Sequence, residues 1–432
     1  MGLLPSVLGL MVGVSTKRKN EKINRRNQKI IKRNNEISRG VAECGKNPVE
    51  NVFCINDSGN IIVSGGESVI RTQIMGALVN SLLSKNEPVI IFHESNHELE
   101  TLLNAVCSGT DRLISVGLSN AVYEPFSDLN PAEISKLVID SASSDYDIKH
   151  NAKYYIEAMV LYLECIGYFP SLGLLAKCPH SELTDKTDNL IMNGKISASK
   201  GNEIKSKLMM GQSEVFKIEN YFNDLKNQFS PIISKKNGSS GNINIPKAVK
   251  GNKIILIDIV SSINNLLLNV LANQIKGMLS KGHYMNLIID NVSSESDSIL
   301  SQLICTHTEK CCLALMTDDL YSICNGDEKV FHTIIGKSTK IAIMNHKSGL
   351  SASKWADVFG FYEKTETSYS TSTGSSRGNM MSLFLGPDVN NTVSYSTKRE
   401  NIIKPEEISR MQSNEVYMYD ASVNEILHLY LT

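Results

Sequence analysis

Ile61-Ile62-Val63-Ser64-Gly65-Gly66-Glu67-Ser68-Val69-Ile70-Arg71-Thr72 is the stretch on which the reading of this chain turns. Three β-branched residues in a row predict a short buried strand. Gly65 and Gly66 predict a tight turn. Residues 71–84, with Ile74, Leu78 and Leu82 at helical spacing, predict a helix. Strand, glycine-rich turn and helix form the setting of a phosphate-binding loop, in which backbone N–H groups and the helix dipole receive an anion. With Gly65 as the first glycine of such a loop, Ile70 takes the second glycine position, Arg71 the lysine position and Thr72 the hydroxyl that reaches Mg²⁺. Gly65, Gly66, Ser68, Arg71 and Thr72 are thus the candidate nucleotide contacts. Left-handed geometry at a β-branched Ile70 would cost about 1–2 kcal/mol. Arg71 keeps the charge but offers a planar fork in place of a compact ammonium.

Working outward, Pro88 to Phe92 is a continuous apolar run, the mark of a strand buried on both faces. Asn286-Leu287-Ile288-Ile289-Asp290 is a second, and it ends in an acid as a Walker B strand does. Asp290 is placed to orient Mg²⁺. Asn291 follows, where an active enzyme carries a carboxylate that activates water; loss of a positioned base costs about 10² to 10⁴ in rate. Further runs at Lys253–Asp258, Cys312–Thr317 and Lys340–Met344, with a helix over Asn264–Leu279, predict an α/β domain with a mostly parallel sheet.

Other segments differ. Asn51–Asn56 is expected to be a strand before a turn at 57–60. Residues 130–232 hold long helical patterns, such as Ala152–Ile166 and Glu203–Phe229, and predict an all-α insertion. Lys235–Lys250 is expected to be a linker. Residues 364–380 are low in complexity and are expected to be mobile. A short helix at Pro405–Met411 and a strand at Val416–Tyr419 close the chain. The organisation is therefore a basic arm over 1–45, a nucleotide-binding-fold domain over 46–129 and 245–432, and the helical insertion over 130–232.

The first forty residues carry ten Lys or Arg, from Lys17 to Arg39, against Glu21 and Glu36. That is +8; with a whole-chain charge of −1, the remainder is −9. A basic arm on an acidic body points to a polyanion, either nucleic acid or an anionic membrane surface, with Lys17, Arg18, Lys19, Arg25 and Arg26 as contacts. The other reading is a solvated tail. Gly2–Val14 is apolar but shorter than a spanning helix of about 20 residues, and Pro5 interrupts it. Nine cysteines without a CxxC pair fit reduced thiols of a cytoplasmic chain, with a place at the inner face of a membrane left open by the arm.

The order of these pieces resembles the coupling ATPases of conjugation and type IV secretion, members of the FtsK/HerA-like group with a RecA-like P-loop core. That family inserts an all-α domain between Walker A and Walker B. Val89–Phe92 with the following turn, Val122-Tyr123-Glu124-Pro125-Phe126, Asn130-Pro131, the Ser/Thr/Tyr-rich stretch 367–376, and Arg399, Ile402-Ile403, Pro405-Glu406-Glu407-Ile408 are similar to its landmarks. Met316-Thr317-Asp318-Asp319 stands where the family has Gln-Ser. The resemblance implies a DNA-translocating ATPase with ATP and Mg²⁺ as cofactors. DNA, relaxosome or secretion proteins would be its partners, in a homo- or hetero-hexamer. Ile70, Arg71 and Asn291 count against turnover, so hydrolysis is expected to be weak or lost. A non-enzymatic adaptor or scaffold on the same fold is the alternative.

His93-Glu94-Ser95-Asn96-His97 also satisfies H-E-x-x-H, the zinc metallopeptidase signature, which needs both histidines on one helix face and the glutamate as base. Its position directly after a buried strand predicts a turn, which leaves this as a third reading.

Overall fold

The computed structural model describes residues 4–54, 59–116, 123–142, 146–178, 180–229, 244–258, 264–291, 311–374 and 388–432. The strands among them are β1 (Val41–Asn47), β2 (Asn60–Ser64), β3 (Val89–His93), β4 (Leu113–Val116), β5 (Ile254–Asp258), β6 (Met285–Asp290), β7 (Cys311–Thr317), β8 (Ser338–Ile343), β9 (Phe361–Gly374), β10 (Asp388–Asn401), β11 (Glu415–Asp420) and β12 (Glu425–Leu431). The chain divides into two compact units, residues 46–344 with 431–432, and residues 1–45 with 345–430.

In the larger unit β8-β2-β7-β6-β3-β5-β4 lie side by side. Every neighbouring pair is parallel. This is a RecA-like sheet: β2, which carries the glycine turn, and β6, which carries Asp290, are separated by β7 alone. Parallel strands bury both faces, and β2, β3 and β6 are buried at every residue. Their carboxyl ends share one edge, the edge at which such sheets bind ligands. The helix Ser68–Ser84, which connects β2 to β3, buries Ile74, Met75, Leu78, Val79 and Leu82.

The described residues between 131 and 229 form helices and turns, with no strand among them. Ala152–Cys165 is the most buried of these helices. The continuous helix expected over 203–229 is two helices, Ala198–Gly211 and Val215–Phe229, joined by the 3-10 turn Gln212–Glu214. Gly211 packs directly against Tyr155: a Cβ there would stand 2.7 Å from the Tyr155 amide nitrogen.

Other expectations are corrected. Val49–Val52 is a helix, not a strand, and 55–58 lie outside the described residues. Of the linker, 235–243 lie outside the described residues and Ile245–Lys250 is a helix capped by the Asn244 side chain. The stretch expected to be mobile is β9 as far as Gly374. It pairs antiparallel with β10 through fourteen residues, from Phe361↔Asn401 to Gly374↔Asp388. Each low-complexity strand is the other's template, a long-range pairing that composition does not report.

In the smaller unit the arm is a helix, Leu4–Arg39. Asn35 exchanges both amide hydrogen bonds with the Thr365 backbone, at 2.9 and 3.0 Å. Arg39 donates to the Ile402 carbonyl and pairs with Glu407. One of the ten basic residues is thus an internal anchor. β11 and β12 pair antiparallel, with β1 beside β12.

Candidate functional site

The turn after β2 is short. Gly65 and Gly66 take φ of 90° and 73°, and the helix starts at Ser68 with Glu67 as its N-cap. A Cβ on Gly66 would meet the Met344 sulfur at 2.7 Å, so glycine is required there for space as well as for φ. Ile70 lies in the first helical turn with right-handed φ, so the strain expected from a left-handed Ile70 is absent. The sequence pattern presumed a loop reaching residue 70; the actual loop ends three residues earlier. Two donors that a phosphate cradle would use are already engaged: Gly65 N–H donates to Thr317 O at 2.9 Å and Ile70 N–H to Glu67 O at 3.1 Å. Ser68 is exposed at the helix start.

Arg71 fills the turn from within. It is 2% exposed, and its Nη1 donates to the carbonyls of Gly65 (3.2 Å) and Gly66 (2.9 Å). Its Nη2 pairs with Asp318, and its Nε stands 3.8 Å from Asp290 Oδ1. Asn291, at φ 40°, donates its backbone N–H to Met316 O at 2.8 Å. Its side chain holds Asp318 both ways: Nδ2 donates to Oδ2 at 3.3 Å, and Oδ1 accepts the Asp318 N–H at 3.2 Å. Asn tolerates this left-handed geometry because its short side chain bonds locally. The residue at the general-base position is thereby committed to holding an acid that holds Arg71.

Asp290 ends β6 with its side chain buried. Burial pushes its carboxyl pKa up, and nearby Asp318 adds to that; the Asn96 hydrogen bond and Arg71 act against both. Asn96 was not among the residues singled out from sequence. Its Nδ2 donates to Asp290 Oδ2 at 2.9 Å and to Thr72 Oγ1 at 3.1 Å, the two oxygens nominated for Mg²⁺. The amide is oriented unambiguously, because its Oδ1 accepts the Leu99 N–H at 3.0 Å and caps the helix His97–Val106.

The turn that delivers Asn96 is itself pinned. Ser95, at φ 49°, donates its N–H to Asp258 Oδ1 at 2.8 Å. The Asn96 N–H donates to His93 Nδ1 at 3.2 Å, so the His93 proton sits on Nε2. His93 is fully buried; desolvation lowers its pKa, opposed by Asp258 at 3.9 Å. The metallopeptidase reading falls here. His93 ends a strand, while His97 opens a helix with its side chain 85% exposed, so the pair shares no helix face and Glu94 lies in the turn between them. In the arm, Arg25 and Arg26 are exposed on the helix, and the side chains of Lys17, Arg18 and Lys19 lie outside the described residues.

Solved structures share this architecture. The bacterial conjugative coupling protein TrwBdeltaN70, in its unbound monoclinic form, matches 89% of this chain and 90% of its own at a TM-score of 0.53 and 11% identity. This chain has the fold of a conjugative coupling protein. TrwB in complex with the ATP analogue ADPNP matches at 0.51 and 12% identity over 86% of this chain and 85% of its own, and TrwB with ADP and Mg²⁺ at 0.50 and 11% over the same shares. No family model and no curated protein sequence matches the chain.

Tested against the coupling-protein fold's nucleotide and Mg²⁺, the residues present do not fit. The loop is short, its interior is taken by the Arg71 guanidinium, and Thr72 and Asp290 are bridged by an amide.

Proposed function

We propose that this chain is a coupling-protein homologue of a conjugation or type IV secretion machine that serves as a scaffold subunit and does not turn over ATP. The observation that carries the reading is Arg71: its guanidinium is buried and its two terminal nitrogens are engaged by Gly65, Gly66 and Asp318, beside Asp290, within the protein itself. A motor needs its charge stabilisers aimed at the transferring phosphoryl group. Here the same charge is spent inside the protein, and Asn291 supplies no carboxylate. DNA, relaxosome or secretion proteins are the partners this reading assigns. Membership in a homo- or hetero-hexamer, in which an active subunit supplies the turnover, is part of the same reading. The exposed Arg25 and Arg26 support contact with a polyanion, either DNA or the inner face of an anionic membrane.

The test is isothermal titration of the full-length protein with Mg²⁺–ADPNP, together with ATP hydrolysis with and without single- and double-stranded DNA. The expected result is no saturable binding and no turnover. DNA-stimulated hydrolysis abolished by Asp290→Ala would overturn the proposal and make the chain a working motor.

A further inference from the structure

Asp290 and Thr72 lie on β6 and on the helix after β2, 218 positions apart in sequence, and a single side chain from a third element joins them. The Asn96 amide gives one N–H to each oxygen, at 2.9 and 3.1 Å, while its carbonyl is held by Leu99 and its backbone by His93. The amide has no freedom left: both donors and its acceptor are engaged. We propose that Asn96 is a built-in substitute for the divalent cation, holding the carboxyl ends of the sheet together where a cation-dependent site would use Mg²⁺.

The two ways of joining these oxygens exclude one another. Two N–H bonds of one planar amide diverge by about 120°, which sets their acceptors about 5 Å apart at ordinary hydrogen-bond lengths. Neighbouring ligands of an octahedral Mg²⁺, with bonds of 2.0–2.1 Å, stand about 3 Å apart. A cation could be coordinated directly by both Thr72 and Asp290 only after Asn96 had left and the two elements had closed on each other. Leaving is opposed because Asn96 is also a helix cap, and because the turn before it is tied to Asp258 through Ser95. The inference rests on the proposed loss of turnover but concerns cation alone, without nucleotide.

Asn96→Asp keeps the helix cap and replaces the two donors with a second carboxylate facing Asp290. Thermal unfolding of the full-length protein in EDTA, and then in millimolar MnCl₂ or MgCl₂, reads the effect. The wild type is expected to melt at the same temperature in all three. Asn96→Asp is expected to melt about 2–5 °C lower in EDTA and to recover saturably with Mn²⁺. Asn96→Ala, which introduces no repulsion, should melt lower and stay low whatever the cation. A wild type stabilised by Mn²⁺ as much as the aspartate variant overturns the inference. So does an Asn96→Asp protein that matches the wild type in EDTA and ignores cation, or an Asn96→Ala protein that melts at the wild-type temperature. A protein inert toward ATP yet stabilised by Mn²⁺ would leave the scaffold reading standing and sink this one.

Discussion

Replacing Arg71 with methionine separates a structural counter-ion from a phosphate ligand. Methionine keeps much of the aliphatic stem and removes the charge. Arg71 and Asp290 are 2% and 5% exposed, so the change leaves Asp290 in the interior without its cation. Two glycine carbonyls lose their donor as well. Breaking a buried pair costs about 3–5 kcal/mol. The carboxyl can escape part of this by holding a proton. From the ordinary value of 3.8, keeping it protonated at pH 7 costs about 4 kcal/mol, at about 1.4 kcal/mol per pH unit. At pH 5 that ceiling falls to under about 2 kcal/mol by the same arithmetic. The sign follows: a carboxyl whose folded pKa is raised loses stability as pH rises through the window above its unfolded value. Asp318 has a side chain 62% exposed, so solvent screens its loss of a partner and it contributes little. The wild-type carboxyl is itself raised by burial, so urea unfolding of Arg71→Met should show a loss below that ceiling, up to about 3 kcal/mol at pH 7, that shrinks toward pH 5. Adding Asp290→Asn should recover at least half of it. A loss independent of pH and of Asp290 would refute the counter-ion role, as would a variant as stable as the wild type.

Two further outcomes are expected. Glu124 is buried, accepts N–H groups from Leu172 (2.9 Å) and Phe126 (3.3 Å), and has its pKa pushed up to about 7 by burial; the folded state therefore holds a proton the unfolded chain releases, and stability falls as pH rises from about 4.5 to about 7, by up to about 3 kcal/mol. Glu124→Gln removes that slope, and parallel unfolding-versus-pH curves for the two proteins would exclude it. Neutralising Lys17, Arg18, Lys19, Arg25 and Arg26 should weaken binding to DNA or anionic vesicles and flatten the slope of log K against log salt by up to about 4; an unchanged slope would make the arm helix a structural element only.

The sheet was legible because its strands are buried on both faces. Ile61–Val63, Val89–Phe92, Leu287–Ile289 and Ile341–Ile343 are apolar without interruption, and no amphipathic helix reads that way. β1, β4 and β12 were missed: β1 is polar and mostly exposed, β4 is only four residues, and β12 interrupts its apolar run with His428. That histidine is engaged by Glu43 and Glu415, both at 2.7 Å, and partners from β1 and β11 cannot be read from one segment. In the site, Asp290, Thr72 and Arg71 were legible as positions, since a strand end and a helix start fix where they fall. Their bonding was not. Asn96 bonds across 194 positions to Asp290, and its place inside H-E-x-x-H drew attention to the wrong two side chains. The start of the helix at Ser68 rather than near residue 70 was also hidden. A glycine pair followed by Glu-Ser fits a long loop and a short one equally well.

The arrangement of Arg71, Asn96 and Asn291 follows from one burial problem. The carboxyl ends of β2, β6 and β7 converge on one edge, and the polar groups there, Ser64, Asp290 and Thr317, are removed from bulk water by the surrounding helices. A buried polar group without a partner costs about 1–3 kcal/mol, and a charge more. A ligand can supply the partners, and so can the chain. Here the chain supplies most of them. The Leu320 and Asp319 N–H groups donate to the Ser64 and Thr317 hydroxyls, and the Asn96 amide bridges Asp290 Oδ2 and Thr72. The Arg71 cation stands among two acids, and Asn291 orients Asp318 toward that cation, while Asp290 Oδ1 has only the Arg71 charge 3.8 Å away. These residues act as a unit, so reverting one alone leaves its partners unsatisfied. Arg71→Lys shows why. An ammonium with three donors on a flexible stem cannot span Gly65, Gly66, Asp290 and Asp318 as the guanidinium fork does. The charge at position 71 would then be retained while the network it closes is lost.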